Sequence, residues 1–287
     1  MDNKNNQTIW PNEKKFAVCL THDVDRVHKT YQKFTRLIRK PSFQGLEDLV
    51  RSQNTFWNFE YIIDLEKSLG VTSTFFFLDE SIKLNPLKPK TFKLSVGRYD
   101  LFDISVSKMI KRLDSSGWDI ALHGSYNSFN NLELLIKEKK RLECIVGHEI
   151  VGIRQHYLNL ANDTWLLQHQ AGFRYDCSFG LTKGIGFKDN ITLPFRPPGT
   201  HDFIVLPLGL MDYCLLTSKG DITQEYISLL NQVEENGGIF VINWHQERMN
   251  PTENPQYTDV YSAIIKECKH RNAWIANCGE IYSHLLG

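Results

Sequence analysis

Residues 21–25 read Thr21-His22-Asp23-Val24-Asp25, and they close the apolar run Phe16-Ala17-Val18-Cys19-Leu20. A short continuous apolar run that ends in polar residues is typical of a buried parallel strand. Because residues i and i+2 share one face of a strand, Asp23 and Asp25 are predicted to point the same way. Two close carboxylates repel unless a cation lies between them or one is protonated. The stretch therefore indicates a metal site beside a general base, with helix capping by either aspartate as the alternative.

The composition points away from nucleic acids and anionic membranes as the main partners. The chain has 287 residues, which is enough for one large α/β domain or two small ones. Lysine and arginine together number 33, as do aspartate and glutamate, so the charges balance. No run of about 18 apolar residues is present, so no transmembrane helix is expected.

The amino terminus and the cysteines both favour a cytoplasmic protein. The first seven residues are polar, so no secretory signal is expected. The six cysteines are scattered without a C-x-x-C pair, and several lie in apolar runs. Buried free thiols in a reducing compartment are therefore predicted, rather than a zinc site built from cysteine.

Apolar, β-rich runs alternate with segments of helical periodicity along the whole chain. Strands are predicted at 16–20, 71–78, 118–122, 150–153, 173–176, 203–208, 239–242 and 274–276. Helices are predicted at 26–40, 56–69, 104–116, 132–142, 164–170, 222–235 and 260–270, and a loop at 81–100. This alternation indicates a parallel sheet in one α/β domain over residues 1–287, with a helical insertion at 26–55.

Polar side chains recur at the carboxyl ends of the predicted strands. They are Asp23, Asp25, His123, Arg154, His156, Asp176, Asp212 and His245. A barrel gathers its active site at that end, so a closed or nearly closed barrel fits better than an open sheet. Imidazoles, carboxylates and a guanidinium are the components of a metal-assisted hydrolase. His22 alternates away from Asp23 along the strand and is predicted to pack in the core.

The order of these motifs resembles the polysaccharide deacetylase family, also called NodB-homology proteins or family-four carbohydrate esterases. The family pattern runs T-F-D-D, H-S-x-x-H, R-x-P-Y, an aspartate motif and L-x-L-x-H. The corresponding stretches here are residues 21–25, His123-Gly124-Ser125-Tyr126-Asn127, Arg154-Gln155-His156-Tyr157, Tyr175-Asp176-Cys177-Ser178 and Val241-Ile242-Asn243-Trp244-His245. Each motif alone is weak, whereas five in order over residues 14–250 are fairly specific. The resemblance implies a distorted (β/α)7-type barrel, NodB-like and single-domain.

The resemblance also implies roles for the acid and metal-binding residues. Asp23 matches the general base that activates water at the metal. Arg154 matches the arginine that pairs with this base and keeps it ionised, since an adjacent guanidinium lowers the pKa of a carboxyl group. His123 matches a metal ligand.

Three further roles come from the same resemblance. His245 matches the general acid that protonates the leaving amine. Asp176 resembles the carboxylate that orients this imidazole and holds its proton on the correct nitrogen. The backbone N–H of Tyr157 is implied to help bind the oxyanion.

The chain departs from the family pattern at three positions. Val24 replaces the second aspartate, so Asp25 is expected to supply the metal ligand. Asn127 replaces the second metal histidine, and an amide oxygen is a much poorer zinc ligand than imidazole. His156 stands where the family has proline, and it would face the same way as the arginine two residues earlier. We therefore predict a metal set of Asp25, His123 and His156, with Asn127 as a weaker fourth candidate.

The residues indicate a metal-assisted hydrolase, and the resemblance implies that it is a deacetylase that removes an N-acyl group from an amino sugar or glycan precursor. One divalent ion is expected, with zinc as the first choice and cobalt, nickel or iron as alternatives. Family members with motifs similar to residues 21–25 and 123–127 are associated with lipopolysaccharide and surface-polysaccharide biosynthesis, so that role is implied here.

Two alternatives remain open from the sequence. Val24 and Asn127 suggest a barrel that binds a glycan without catalysis. A glycosidase would need two carboxyl groups about 5–10 Å apart, which Asp23 could form with Asp176 or Asp212.

Overall fold

The computed structural model describes residues 9–30, 54–88 and 90–286. Most of the predicted insertion at 26–55, including the greater part of the helix predicted at 26–40, lies outside the described residues. No helix within the described ranges combines the length and the apolar character needed to cross a membrane.

Nine strands form one sheet in the described part of the chain. They are β1 Ala17–Val24, β2 Thr74–Leu78, β3 Asp119–Gly124, β4 Gly152–Gln155, β5 Tyr175–Asp176, β6 Ile204–Val205, β7 Leu208–Met211, β8 Ile239–Asn243 and β9 Trp274–Ala276. The helices are α1 Phe59–Ser68, α2 Lys90–Ser95, α3 Ile104–Ser115, α4 Leu132–Val146, α5 Thr164–Gln170, α6 Asp212–Leu216, α7 Ile222–Asn236, α8 Pro255–His270 and α9 Cys278–Leu286. The alternation predicted from the apolar runs is thus confirmed, while α2, α6 and α9 were not predicted.

The sheet is parallel and curls into a distorted barrel, as predicted. Its strand order is β6-β5-β4-β3-β2-β1-β8-β7, and β9 pairs with the first half of β1. The central strand β1 extends beyond its predicted end at residue 20, because residues 21–24 pair with β2. All eight residues of β1 are buried, as expected for the middle strand of a parallel sheet.

The strand predicted at 203–208 is wrong, because the chain forms two strands there on opposite edges of the sheet. β6 pairs with β5, whereas β7 pairs with β8. Leu206 and Pro207 connect them, and a proline has no N–H to donate to a neighbouring strand. The N–H of Leu206 donates to Asp176 O and that of Leu208 to Phe179 O, at 2.9 Å each. This short connection brings the two edges of the curled sheet together.

A buried polar cluster joins β1 to the helices outside it. His22 is fully buried, as predicted, and its Nε2 lies 2.9 Å from Glu66 Oε1. The Glu66 carboxylate also accepts hydrogen bonds from the Tyr261 hydroxyl (2.6 Å), the Ser73 hydroxyl (2.9 Å) and the Trp118 indole (2.6 Å). A buried carboxylate is stable only with such a full set of donors. We call these five residues the Glu66 cluster.

Replacing Glu66 by alanine is expected to lower the free energy of unfolding by about 3–5 kcal/mol, because the buried donors lose their acceptor. Denaturant unfolding followed by circular dichroism measures this. Glu60→Ala on the same helix is the control: the Glu60 side chain is 49% exposed and lies 3.6 Å from Arg112. Its expected effect is below about 0.5 kcal/mol. Equal stability of the two variants would contradict a structural role for the cluster.

Candidate active site

A cavity of about 280 Å³ opens at the carboxyl ends of the barrel strands. It is lined by Asp23, Asp25, His123, Gln155, His156, Tyr157, Leu158, Thr182, Met211, Tyr213, His245 and Arg248. Parallel strands bring their carboxyl ends to the same edge, and here His123 of β3 is in register with Arg154 of β4. Five of the eight strand-end residues singled out in the sequence therefore line this cavity: Asp23, Asp25, His123, His156 and His245.

Asp23 is a buried carboxylate held by two donors. Arg154 Nη1 donates to Oδ1 and Asn243 Nδ2 donates to Oδ2, both at 2.7 Å. Burial alone would raise the pKa of Asp23, but the charge and hydrogen bond of Arg154 are the main cause that lowers it to about 2. Arg154 is itself fully buried, with its guanidinium over the Phe76 ring at 4.3 Å. Asp23 is thus ionised and rigidly positioned at neutral pH.

Asp25, His123 and His156 come together as a group that could hold a metal ion, with one ligand atom of each within 4.8 Å of the others. Nε2 of each histidine lies 3.5 Å from Asp25 Oδ1. This oxygen is buried and accepts no hydrogen bond from the described residues. His123 Nδ1 donates to the carbonyl of Arg154 at 2.9 Å, so in the neutral ring Nε2 presents its lone pair. Three converging donor atoms of this kind fit a divalent cation.

The fourth candidate, Asn127, is placed differently from the other three. It is exposed, at the start of the short 3₁₀ helix Ser128–Asn130, and it does not line the cavity. The structure thus brings together the Asp25, His123 and His156 of the predicted metal set and leaves Asn127 apart.

His245 pairs with Asp212, and the expected pairing with Asp176 is wrong. Asp212 Oδ1 accepts a hydrogen bond from the ring nitrogen Nδ1 of His245 at 2.8 Å. Asp212 Oδ2 accepts one from the backbone N–H of His245 at 2.9 Å. Asp212 begins α6 directly after β7, which is the neighbour of β8. Asp176 lies on β5, several strands away in the sheet, so it cannot take this place.

Asp176 instead forms a structural cluster beneath the barrel rim. Its carboxylate accepts hydrogen bonds from Ser178, Gln168 Nε2 at 3.0 Å and Trp165 Nε1 at 3.2 Å. It is fully buried and does not line the cavity. Asp176 thus holds α5 and the segment after β5 in place.

The proton on His245 is held strongly. Burial alone would lower the pKa of His245, but the charge and hydrogen bond of Asp212 outweigh it and raise the pKa to about 10. The Asp212 hydrogen bond orients the ring, and the ring lines the cavity. A protonated imidazole in this position can donate a proton to a group inside the cavity.

Comparisons with known proteins find solved structures that share this architecture. No family model matches the chain, and no curated protein matches it. A structure assigned as a polysaccharide deacetylase from Mycobacterium smegmatis aligns at TM-score 0.61 and 19% identity, covering 96% of this chain and 92% of its own. One so assigned from Pseudomonas aeruginosa PAO1 gives 0.64 and 14%, covering 98% and 94%. The Puue allantoinase gives 0.62 and 16%, covering 98% and 94%. The fold is that of the polysaccharide deacetylases.

Two residues that the sequence analysis missed support the site within this polysaccharide deacetylase fold. Glu80 follows β2, and its Oε2 lies 3.8 Å from His156 Nδ1 while accepting from the Tyr126 N–H at 3.1 Å. At 3.8 Å the two atoms are too far apart for a hydrogen bond, so Glu80 acts on the His156 ring through its negative charge. Asn243 ends β8 and holds Asp23, as described above. Glu80 and Asn243 both lie at strand ends, and this position is the feature of the sequence from which they could have been predicted as site residues.

Tyr157 has an unusual backbone conformation at the rim of the cavity. Its φ of 60° lies in the left-handed region, as does the φ of 53° at Leu158. Such conformations cost on the order of 1–3 kcal/mol for non-glycine residues and persist where the surroundings impose them. The Tyr157 side chain is 54% exposed and lines the cavity. The role of its N–H in oxyanion binding stays a prediction.

Proposed function

We propose that this protein is a divalent-metal-dependent deacetylase that hydrolyses an N-acyl group, foremost N-acetyl, on an amino sugar or glycan precursor. The observation that carries the proposal is that an ionised carboxylate, a potential metal group and a protonated histidine face one cavity. Similar folds in two proteins assigned as polysaccharide deacetylases support a sugar substrate. The allantoinase shares the fold, so the fold alone does not choose the substrate.

The proposed chemistry divides between the metal group and two side chains. A divalent cation held by Asp25, His123 and His156 would supply Lewis acidity, polarising the acyl carbonyl and making water easier to deprotonate. Asp23 takes the proton of the attacking water, and Arg154 keeps this carboxylate ionised and in place. A carboxylate with a pKa of about 2 is a weak base, so it works only on water that is strongly acidified.

His245 completes the reaction at the departing nitrogen. As the C–N bond breaks, the nitrogen takes the imidazolium proton and leaves as an amine. Asp212 stabilises the imidazolium and fixes the ring, which is the role expected of an orienting carboxylate. The N–H of Tyr157 is proposed to donate to the oxyanion of the tetrahedral intermediate.

The donor set guides the choice of metal, and the motifs and cysteines guide the choice of biological setting. A donor set of two imidazoles and one carboxylate suits zinc first, and also iron, cobalt or nickel. A place in lipopolysaccharide or surface-polysaccharide biosynthesis rests on the resemblance of the motifs at 21–25 and 123–127. The six cysteines are all free thiols and five are buried, which supports a reducing compartment such as the cytoplasm.

The glycosidase alternative requires a second carboxyl group opposite Asp23, and neither Asp176 nor Asp212 can provide it. Asp176 does not line the cavity, and Asp212 is engaged by His245 through both carboxylate oxygens. Neither is available to act on a sugar opposite Asp23. The non-catalytic alternative is decided by the experiment below.

Metal content, measured by plasma mass spectrometry on protein purified without an affinity tag, tests the proposal first. We expect about one divalent ion per wild-type chain, since three protein ligands suffice for a catalytic zinc site. His123→Ala and His156→Ala should each lose the metal, whereas Asn127→Ala should keep it. Acetate release from N-acetylated sugars is then measured on the metal-loaded wild type.

Two results would overturn the proposed function. One is a wild-type protein that stays metal-free after incubation with zinc, cobalt and nickel. The other is a metal-loaded wild type that binds N-acetylated sugars and releases no acetate, which would indicate a glycan-binding barrel.

A further inference from the structure

Arg248 differs from the two other arginines around the active site, because it lines the cavity without an ion-pair partner among the described residues. Arg154 is paired with Asp23 at 2.7 Å. Arg98 lies 3.8 Å from Asp25 Oδ1 and donates to the Asp25 carbonyl at 2.8 Å. Arg248 forms no ion pair within 4.0 Å with any carboxylate of the described residues. It is also the one of the three that lines the cavity.

The guanidinium of Arg248 is held in place with most of its donors unused. Nη1 donates to the Tyr257 hydroxyl at 3.0 Å, which is its single hydrogen bond to the described part of the protein. Nε is buried and has no hydrogen-bond partner among the residues that the structure describes. The rings of Tyr213 and Tyr257 lie 5.3 and 5.6 Å from Cζ, close enough for cation–π attraction. The group is thus fixed in direction before any ligand arrives.

The position of Arg248 suits recognition of the substrate rather than catalysis. It ends the 3₁₀ helix Gln246–Arg248, and its N–H donates to the His245 carbonyl at 3.0 Å, so it moves with the proposed general acid. Tyr213, 52% exposed, and Thr182 line the same cavity. A partly buried guanidinium with free donors is a strong site for a carboxylate or phosphate, which it can contact through two N–H groups.

We propose that Arg248 binds an anionic group, a carboxylate or a phosphate, carried by the N-acylated sugar. This rests on the proposed function and narrows it: the substrate is an acidic amino sugar, either a uronic acid or a sugar phosphate. The cavity of about 280 Å³ lies near the lower end of ligand pockets, which suits a single acidic sugar unit. The charges of Asp212 and Glu247 keep the Arg248 guanidinium cationic, while both oxygens of Asp212 accept hydrogen bonds from His245.

Binding of matched sugars to the zinc-loaded full chain tests this, measured by titration calorimetry. The probes are methyl N-acetylglucosaminide, its 6-phosphate and the corresponding uronic acid. We expect the wild type to bind one or both acidic probes about 10–100-fold more tightly than the neutral one, as for a charge-assisted hydrogen-bonded pair. The phosphate and the uronic acid distinguish the two sources of the charge.

Variants at Arg248 identify the residue responsible. In Arg248→Gln the preference for acidic probes should fall to about onefold, and Arg248→Lys should retain part of it, because lysine keeps the charge without the planar fork. Arg112→Gln is the control for net charge, since Arg112 is exposed on α3 away from the cavity, and it should retain the wild-type preference. Circular dichroism confirms that each variant is folded.

The outcomes separate this inference from the proposed function. An acidic preference that persists in Arg248→Gln, as direct binding of the anion to zinc would produce, overturns the role of Arg248. A wild type without any acidic preference overturns it as well. Acidic preference lost in Arg248→Gln, together with no acetate release from any probe, supports the inference and refutes the deacetylase.

Discussion

Asp23→Asn is expected to lower kcat for deacylation by about 10²–10⁴-fold, the usual contribution of a positioned general base. Asparagine fills the same volume and still accepts a hydrogen bond, but it takes no proton from water. Asp23 is 3% exposed and its carboxylate is bound to Arg154 and Asn243, so the position of this base is fixed. Steady-state kinetics on an N-acetylated sugar measure the loss.

The control for Asp23→Asn is the same substitution at Asp259, an exposed residue of α8. It should leave kcat within about twofold of the wild type, as surface changes far from a site usually do. Asp23→Asn also leaves the Arg154 charge buried and unpaired, so a fall in stability should accompany the loss of activity. A folded Asp23→Asn protein with undiminished kcat would show that the base lies elsewhere.

Asp212→Asn is expected to have the second large effect, about 10²–10⁴-fold on kcat/KM, with a change in pH dependence. The charge of Asp212 is what raises the pKa of His245 to about 10 against the effect of burial. Without it the pKa falls toward or below the ordinary value, and the imidazole loses its proton at lower pH. The alkaline limb of the pH–rate profile should therefore move to lower pH.

Asp176→Asn distinguishes Asp212 from the residue suggested by the family pattern. Asp176 accepts hydrogen bonds from Trp165, Gln168 and Ser178, so this variant should lose stability. It does not touch His245, and the alkaline limb of its profile should stay where it is in the wild type. A shift of that limb in Asp176→Asn, with none in Asp212→Asn, would reverse the assignment.

Local patterns in the sequence predicted the frame of the molecule well. Apolar runs such as residues 16–20 and 239–242 became buried strands, because only the middle of a parallel sheet buries both faces of a strand. Strand ends were less predictable, since β1 continues through polar residues that only pairing with β2 keeps extended. Pro207 was the available sign that residues 203–208 do not form one strand.

Local sequence patterns predicted only some of the contacts in the candidate site. Alternation along a strand predicted that Asp23 and Asp25 face the same way, and the family pattern, with Val24 in the second place, then implied Asp25 as the ligand. The structure brings Asp25 to His123 and His156. The choice between Asp176 and Asp212 depends on which strands are neighbours across the closed barrel, which motif order does not contain. The roles of Glu80 and Arg248 likewise depend on which residues lie next to them in the folded chain, and motif order does not contain this information.

The central position of β1 also determines how the site responds to fluctuations. β1 pairs with β8 along one side, and with β9 and β2 along the other, and all its residues are buried. Amides in such a strand exchange with solvent only through the rarest openings, those near global unfolding. Asp23 is therefore expected to stay in place until the barrel unfolds, whereas β6, an edge strand of two residues, and its two-residue neighbour β5 are expected to open at lower free energy. The amide hydrogens of β1, the strand that carries the proposed base, are therefore expected to exchange with solvent among the slowest in the protein.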